Sequence, residues 1–160
     1  MRRHTGEELS GYNCDVDGPA CCWIEQRRGG VRRSVASGAD VEEATEKGMM
    51  PLHAAALLGQ VQVLKVLVEL GASKEAKMDN GSTPLHVAVG GGQTEAFKAL
   101  VELGADQEAK CDDGRTPLHL AAGQGHVQAL KALVGADMEA ADDCGGTPVH
   151  WRHATMRLRQ

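Results

Sequence analysis

The sequence predicts an all-α solenoid of stacked helix-turn-helix units with protruding hairpin-like turns. Three observations predict it. The block Met50-Pro51-Leu52-His53 returns as Thr83-Pro84-Leu85-His86, Thr116-Pro117-Leu118-His119 and Thr147-Pro148-Val149-His150, with prolines 33, 33 and 31 residues apart. A second block keeps step with it: Gly38-Ala39-Asp40, Gly71-Ala72-Ser73, Gly104-Ala105-Asp106 and Gly135-Ala136-Asp137. A fixed period in this range marks stacked units, none of which buries its apolar face alone. Composition is the third: 160 residues, 42% hydrophobic but only 2% aromatic, leave a core of Leu, Val and Ala that suits closely packed helices.

Residues 1–30 match no repeat and are expected to be mobile. Residues 31–40 read as the second helix of a partial unit, with the thin apolar stripe of a terminal cap. Each full unit then opens on Thr-Pro, where a hydroxyl can cap the first N–H groups and proline loses nothing at the first helical position. Met50 breaks this pattern, so the first full unit lacks the hydroxyl. In the second unit a short helix is expected over 84–89, a connection at Gly90-Gly91-Gly92, and a longer helix over 93–103. Phe97, Leu100 and Val101 stripe that longer helix, as Val61, Leu64, Leu67 and Val68 do before it and Val127, Leu130, Leu133 and Val134 after. Gly104 ends the helix in a left-handed cap, and Asp112-Asp113-Gly114 signals the turn into the next unit. The third unit is two residues short, because Gly135 directly follows Val134. The fourth unit stops after His150, and 151–160 form an irregular tail.

The 33-residue period, the Thr-Pro-Leu-His start and the Gly-Ala-Asp after the second helix resemble the ankyrin-repeat family. The resemblance covers about residues 31–150, as some three full repeats between partial ones. It implies a non-catalytic protein-binding module or adaptor that receives a partner on a concave, acidic face. Carried over by position, the partner-binding residues are Glu46, Lys47, Met49, Leu57 and Leu58 in the first unit. Asp79, Asn80 and Ser82 follow in the second, and Asp112, Asp113, Arg115 and Gln124 in the third. Leu57 and Leu58 form a candidate apolar anchor in an acidic surround. Two other readings stay open. One is a targeting subunit of a larger signalling or ubiquitin-ligase-type assembly. The other is a truncated gene product without a settled function, suggested by the loss of pattern after His150.

Catalytic, cofactor and metal roles find no support. His53, His86, His119 and His150 recur at the period, which would hold them about 8–10 Å apart, the spacing of packed helices, rather than converging on a site. In ankyrin repeats the matching histidine hydrogen-bonds near the helix start. Gly90-Gly91-Gly92-Gln93-Thr94 lacks the Gly-Lys-Ser/Thr ending of a phosphate loop and occupies a helix connection. Cys14, Cys21 and Cys22 lack the paired spacing of a zinc site. An odd count of five cysteines fits a reducing, intracellular compartment, cytoplasmic or nuclear. The basic start has no apolar run behind it, so no secretory signal is expected, and no stretch is apolar enough for a membrane span.

Charge separates along the chain. Residues 41–150 hold 16 acidic and 8 basic side chains, whereas the whole chain carries −5. Nucleic acid and anionic membranes are therefore unsuitable partners. Half of those acids fall in two columns: Glu46, Asp79, Asp112 and Asp143 at the turns, and Glu42, Glu75, Glu108 and Glu139 four residues after the glycine of the second block. The columns read either as a solvated face that keeps a monomer soluble or as a docking strip for a partner with a basic segment.

Overall fold

The computed structural model describes residues 40–133 and 136–150. The expectations for 1–30, for the helix over 31–40 and for the tail at 151–160 lie outside the described residues. Among those residues the chain is helical and without strands. Helices α1 (Pro51–Leu57) and α2 (Val61–Glu69) form the first unit, α3 (Pro84–Gly90) and α4 (Thr94–Glu102) the second, and α5 (Pro117–Gln124) and α6 (Val127–Ala132) the third. A last helical turn spans 148–150. Within each unit the two helices pack on each other. Between units α1 packs on α3, α3 on α5, α2 on α4 and α4 on α6.

The register follows from small residues placed one period apart. Ala55, Ala88 and Ala121 are at most 1% exposed and let the first helices approach closely. Leu52, Leu85 and Leu118 are buried in one continuous apolar core, and Phe97 is fully buried in the same core. Gly71 and Gly104 take the left-handed conformation after α2 and α4 (φ of 99° and 82°) that side chains resist.

A hairpin-like turn precedes the first helix pair and another follows each pair. The N–H groups of Thr45, Met78, Cys111 and Asp142 donate across their own turns to the carbonyls of Met49, Ser82, Arg115 and Gly146, at 2.9–3.0 Å. Neighbouring turns are tied in series as well. The N–H of Asp79 donates to the Lys47 carbonyl at 3.3 Å. Asp112 does the same to Asn80 and Asp143 to Asp113, each at 3.2 Å. The turn tips are thus rungs of one ladder along the stack.

Candidate functional site

The recurrent polar side chains are consumed in stacking. The N–H of Thr83 donates to His86 Nδ1 at 3.3 Å, and the Thr83 hydroxyl lies 2.9 Å from the same nitrogen. An N–H can only donate, so Nδ1 carries no proton and the hydroxyl donates as well. The ring proton sits on Nε2, which donates 3.0 Å to the Arg115 carbonyl of the next unit. His119 repeats this, with Thr116 at its Nδ1 and the Gly146 carbonyl 3.0 Å from Nε2. His53 accepts from the Met50 N–H and donates to the carbonyls of Ala76 and Ser82. Thr83 and Thr116 also close a capping box with their histidines over the first helical turn. Burial pushes His53 down to about 4, even though its two carbonyl partners favour the charged ring. Burial lowers His86 too, aided by the nearby Lys77 charge and opposed by the Arg115 carbonyl.

The glutamate column is spent in the same way. Glu42, Glu75 and Glu108 accept from the main-chain N–H groups of Ser73, Asp106 and Asp137, one unit on, at 2.6–2.8 Å. Lysines add a third set of bridges: Lys74 to the Leu103 carbonyl at 2.6 Å, and Lys77 and Lys110 to the carbonyls of Lys110 and Ala141 at 3.1 Å. Sequence reasoning missed these bridges. Their one signal was recurrence at the period itself, because a side chain present in every unit is the kind that stacking uses.

The second acidic column stands at the turn tips, where the ladder sets successive units side by side. Glu46, Lys47, Asp79, Asn80, Asp112 and Asp113 are exposed there. Asn80 Oδ1 accepts from the Ser82 N–H at 3.0 Å, and Asp113 pairs loosely with Arg115 at 3.7 Å. Arg115 is half-buried, while Gln124 is exposed at the end of α5.

Three of the expected contact residues are placed differently. Met49, Leu57 and Ser82 are buried, at 8%, 2% and 6% exposure. Leu57 is drawn inward because the neighbouring helix ends in glycines. A Cβ on Gly91 would stand 3.1 Å from the Leu57 carbonyl oxygen and 3.2 Å from its Cδ1. Leu57 therefore fills the space that a side chain there would take, in an apolar cluster with Met49, Ala54, Met78 and Val87. Ser82 lies beneath its turn, with its carbonyl held by His53. Only Leu58, at 36% exposure, remains of the expected anchor.

Among the described residues, no cluster of three or more His, Cys, Asp or Glu is arranged to hold a metal ion. No helix there is long and apolar enough to cross a membrane. Cys111 and Cys144 are free thiols. Compared with known families, residues 21–111 match ankyrin repeats over three copies, and residues 113–143 match one ankyrin repeat more. A comparison with curated proteins found no match.

Proposed function

Because the chain belongs to the ankyrin-repeat family, whose repeats generally mediate protein–protein interaction, we propose that it is a non-catalytic adaptor. Its partner is a protein with a basic segment, received along the turn tips. One observation carries this reading. The recurring histidines and Glu42, Glu75 and Glu108 are engaged in stacking, while the acidic column of Glu46, Asp79, Asp112 and Asp143 and the side chains next to it, which differ between units, stand exposed at the tips. Lys47, Asn80, Asp113 and Cys144 occupy one ladder position with four different side chains, all exposed. Stacking places no demand on such positions, so they are available for recognition. The carboxylates of Asp79, Asp112 and Asp113 steer a basic segment, and Leu58 gives it one apolar contact. Free thiols at Cys111 and Cys144 suit a reducing, intracellular setting.

The test captures partners on the full chain and measures binding kinetics. Asp79→Asn with Asp112→Asn and Asp113→Asn keeps side-chain shape but removes charge. That variant should slow association and flatten its salt dependence, because exposed charges steer encounter. Leu58→Ala should speed dissociation. Control substitutions belong on the second helices, at Lys65 and Lys98. Binding that survives the turn variants and fails in the controls would move the partner to the second-helix face.

A further inference from the structure

We propose that Asn80 is a site of spontaneous covalent modification, where water converts its side-chain amide to a carboxylate by way of attack from the Gly81 nitrogen. Among the described residues Asn80 is the only asparagine, and it stands exposed at a turn tip. Asparagine is most labile where the next residue lacks a side chain, since nothing then crowds the attacking nitrogen. Gly81 follows it, with a φ of +71°. The Asn80 side chain is already folded back. Its Oδ1 accepts from the Ser82 N–H at 3.0 Å, and the ring closed by this bond runs through Asn80 Cγ and the Gly81 nitrogen. An N–H only donates, so the oxygen faces Ser82 and the amide nitrogen is left as the departing group. The same N–H steadies the negative charge that develops on Oδ1 during attack, as an oxyanion donor does. One bond opposes the reaction. The Gly81 N–H donates to the Met78 carbonyl at 2.9 Å, so the turn must open before the nitrogen can react.

The step balances with water alone. The Gly81 nitrogen gives its proton to solvent and bonds to Cγ. The Cγ–Nδ2 bond breaks, and ammonia leaves with a proton from solvent. Water then adds to one carbonyl carbon of the cyclic imide, whose bond to nitrogen breaks as the nitrogen regains a proton. Amide and water thus become acid and ammonia, with no change of oxidation state. Opening at Cγ returns an ordinary aspartate. Opening at the main-chain carbonyl carbon leaves isoaspartate, whose main chain is one carbon longer. The fold accommodates the first product. The next unit carries Asp112-Asp113-Gly114 where this one carries Asp79-Asn80-Gly81. The two turns close by the same pair of main-chain bonds: Met78 to Ser82 and Gly81 to Met78 in one, Cys111 to Arg115 and Gly114 to Cys111 in the other. Both glycines have a φ of +71°. An aspartate at the Asn80 position therefore needs no rearrangement and adds a carboxylate to the row of tips. Isoaspartate instead displaces the Asn80 carbonyl, which receives the Asp112 N–H at 3.2 Å, and breaks that rung. The reaction runs in the isolated chain, whatever partner the tips receive.

The experiment incubates the full chain at neutral pH in water enriched in heavy oxygen, both folded and in guanidinium chloride. Peptide mass spectrometry with fragment sequencing follows Asn80. In both samples Asn80 should lose its amide nitrogen and take up heavy oxygen. The folded chain should convert about tenfold more slowly, because a main-chain bond must open first. The Asn80→Gln variant should show no conversion at that position, since the longer side chain closes its ring slowly. In the Asn80→Asp variant, amide exchange at Asp112 should stay within about twofold of the unsubstituted chain, whereas the isoaspartyl fraction of aged protein should lose that protection. Two results overturn the proposal. One is intact Asn80 in the folded chain after the unfolded chain has passed about ten of its own half-lives, which would mean that the turn shields the amide. The other is lost protection at Asp112 in the Asn80→Asp variant, which would mean that the turn does not accommodate the product.

Discussion

His53 holds one proton where the fold allows one. Its Nδ1 faces a main-chain N–H, so a second proton there would break the helix start. The folded ring titrates near 4, against 6.5 for an ordinary histidine. The folded state therefore disfavours the charged ring, and stability is fully present above about pH 6.5. It falls as pH drops from there toward 4, because the unfolded chain takes up the proton first. By pH 4.5 the loss from His53 alone should be roughly 2–3 kcal/mol, and the lowered His86 adds in the same direction. Urea unfolding at pH 7.5 and 4.5 measures this, and His53→Gln should remove much of the difference. Gly114 is a second position with little latitude. Its φ is +71°, and an added Cβ would lie 2.8 Å from the Asp143 nitrogen. Gly114→Ala should cost about 1–3 kcal/mol of stability without a change in helix content, as seen by circular dichroism during thermal unfolding.

Between elements, the contact of α1 with the end of α3 is a size match. Leu57→Ala should cost about 2–4 kcal/mol, as expected for a buried leucine whose neighbours collapse only partly. Gly91→Ala should also destabilise, because its new methyl group meets Leu57. The two changes together should cost less than their sum by about 1 kcal/mol, since removal of the leucine opens room for the methyl group. Denaturant midpoints of the two single variants and the double variant check this. The same contact explains what was hard to read from the sequence. Helix starts, glycine stops and apolar stripes are local, so α3 and α4 lie within one residue of their expected bounds. The burial of Leu57 depends on what a residue 34 positions later lacks, and no local pattern carries that. The glutamate bridges end on main-chain N–H groups, which have no letter in a sequence. The exposure of Glu46, Lys47, Asp79, Asn80, Asp112 and Asp113 was legible because it is a local property of a turn tip, whereas Met49 and Ser82, in the same turns, are buried by packing that no local pattern carries.

Over the whole molecule, charge opposes stacking in one region and supports it in another. Glu46, Asp79, Asp112, Asp113 and Asp143 are exposed along the ladder of turns and outnumber Lys47 and Arg115 there, so they repel one another at low ionic strength. Raising salt from about 0.01 to 0.15 M shortens the screening length from roughly 30 to 8 Å. The thermal midpoint should rise over that interval, and calorimetry at constant pH checks it. A fall would mean that the lysine bridges to carbonyls dominate the electrostatic balance.

Every bridge between units also runs one way. The histidine and glutamate of each unit reach toward the C-terminal side, and the carbonyl and N–H that receive them lie on the N-terminal side of the unit that follows. The two rims of a unit are therefore plug and socket, unlike each other but matched to any neighbour set in the same sense. An in-frame duplication of one 33-residue period would arrive with both rims already fitted, so the molecule can lengthen by copying itself. Two like rims brought together by a twofold axis would meet plug to plug, and the bridges could not form.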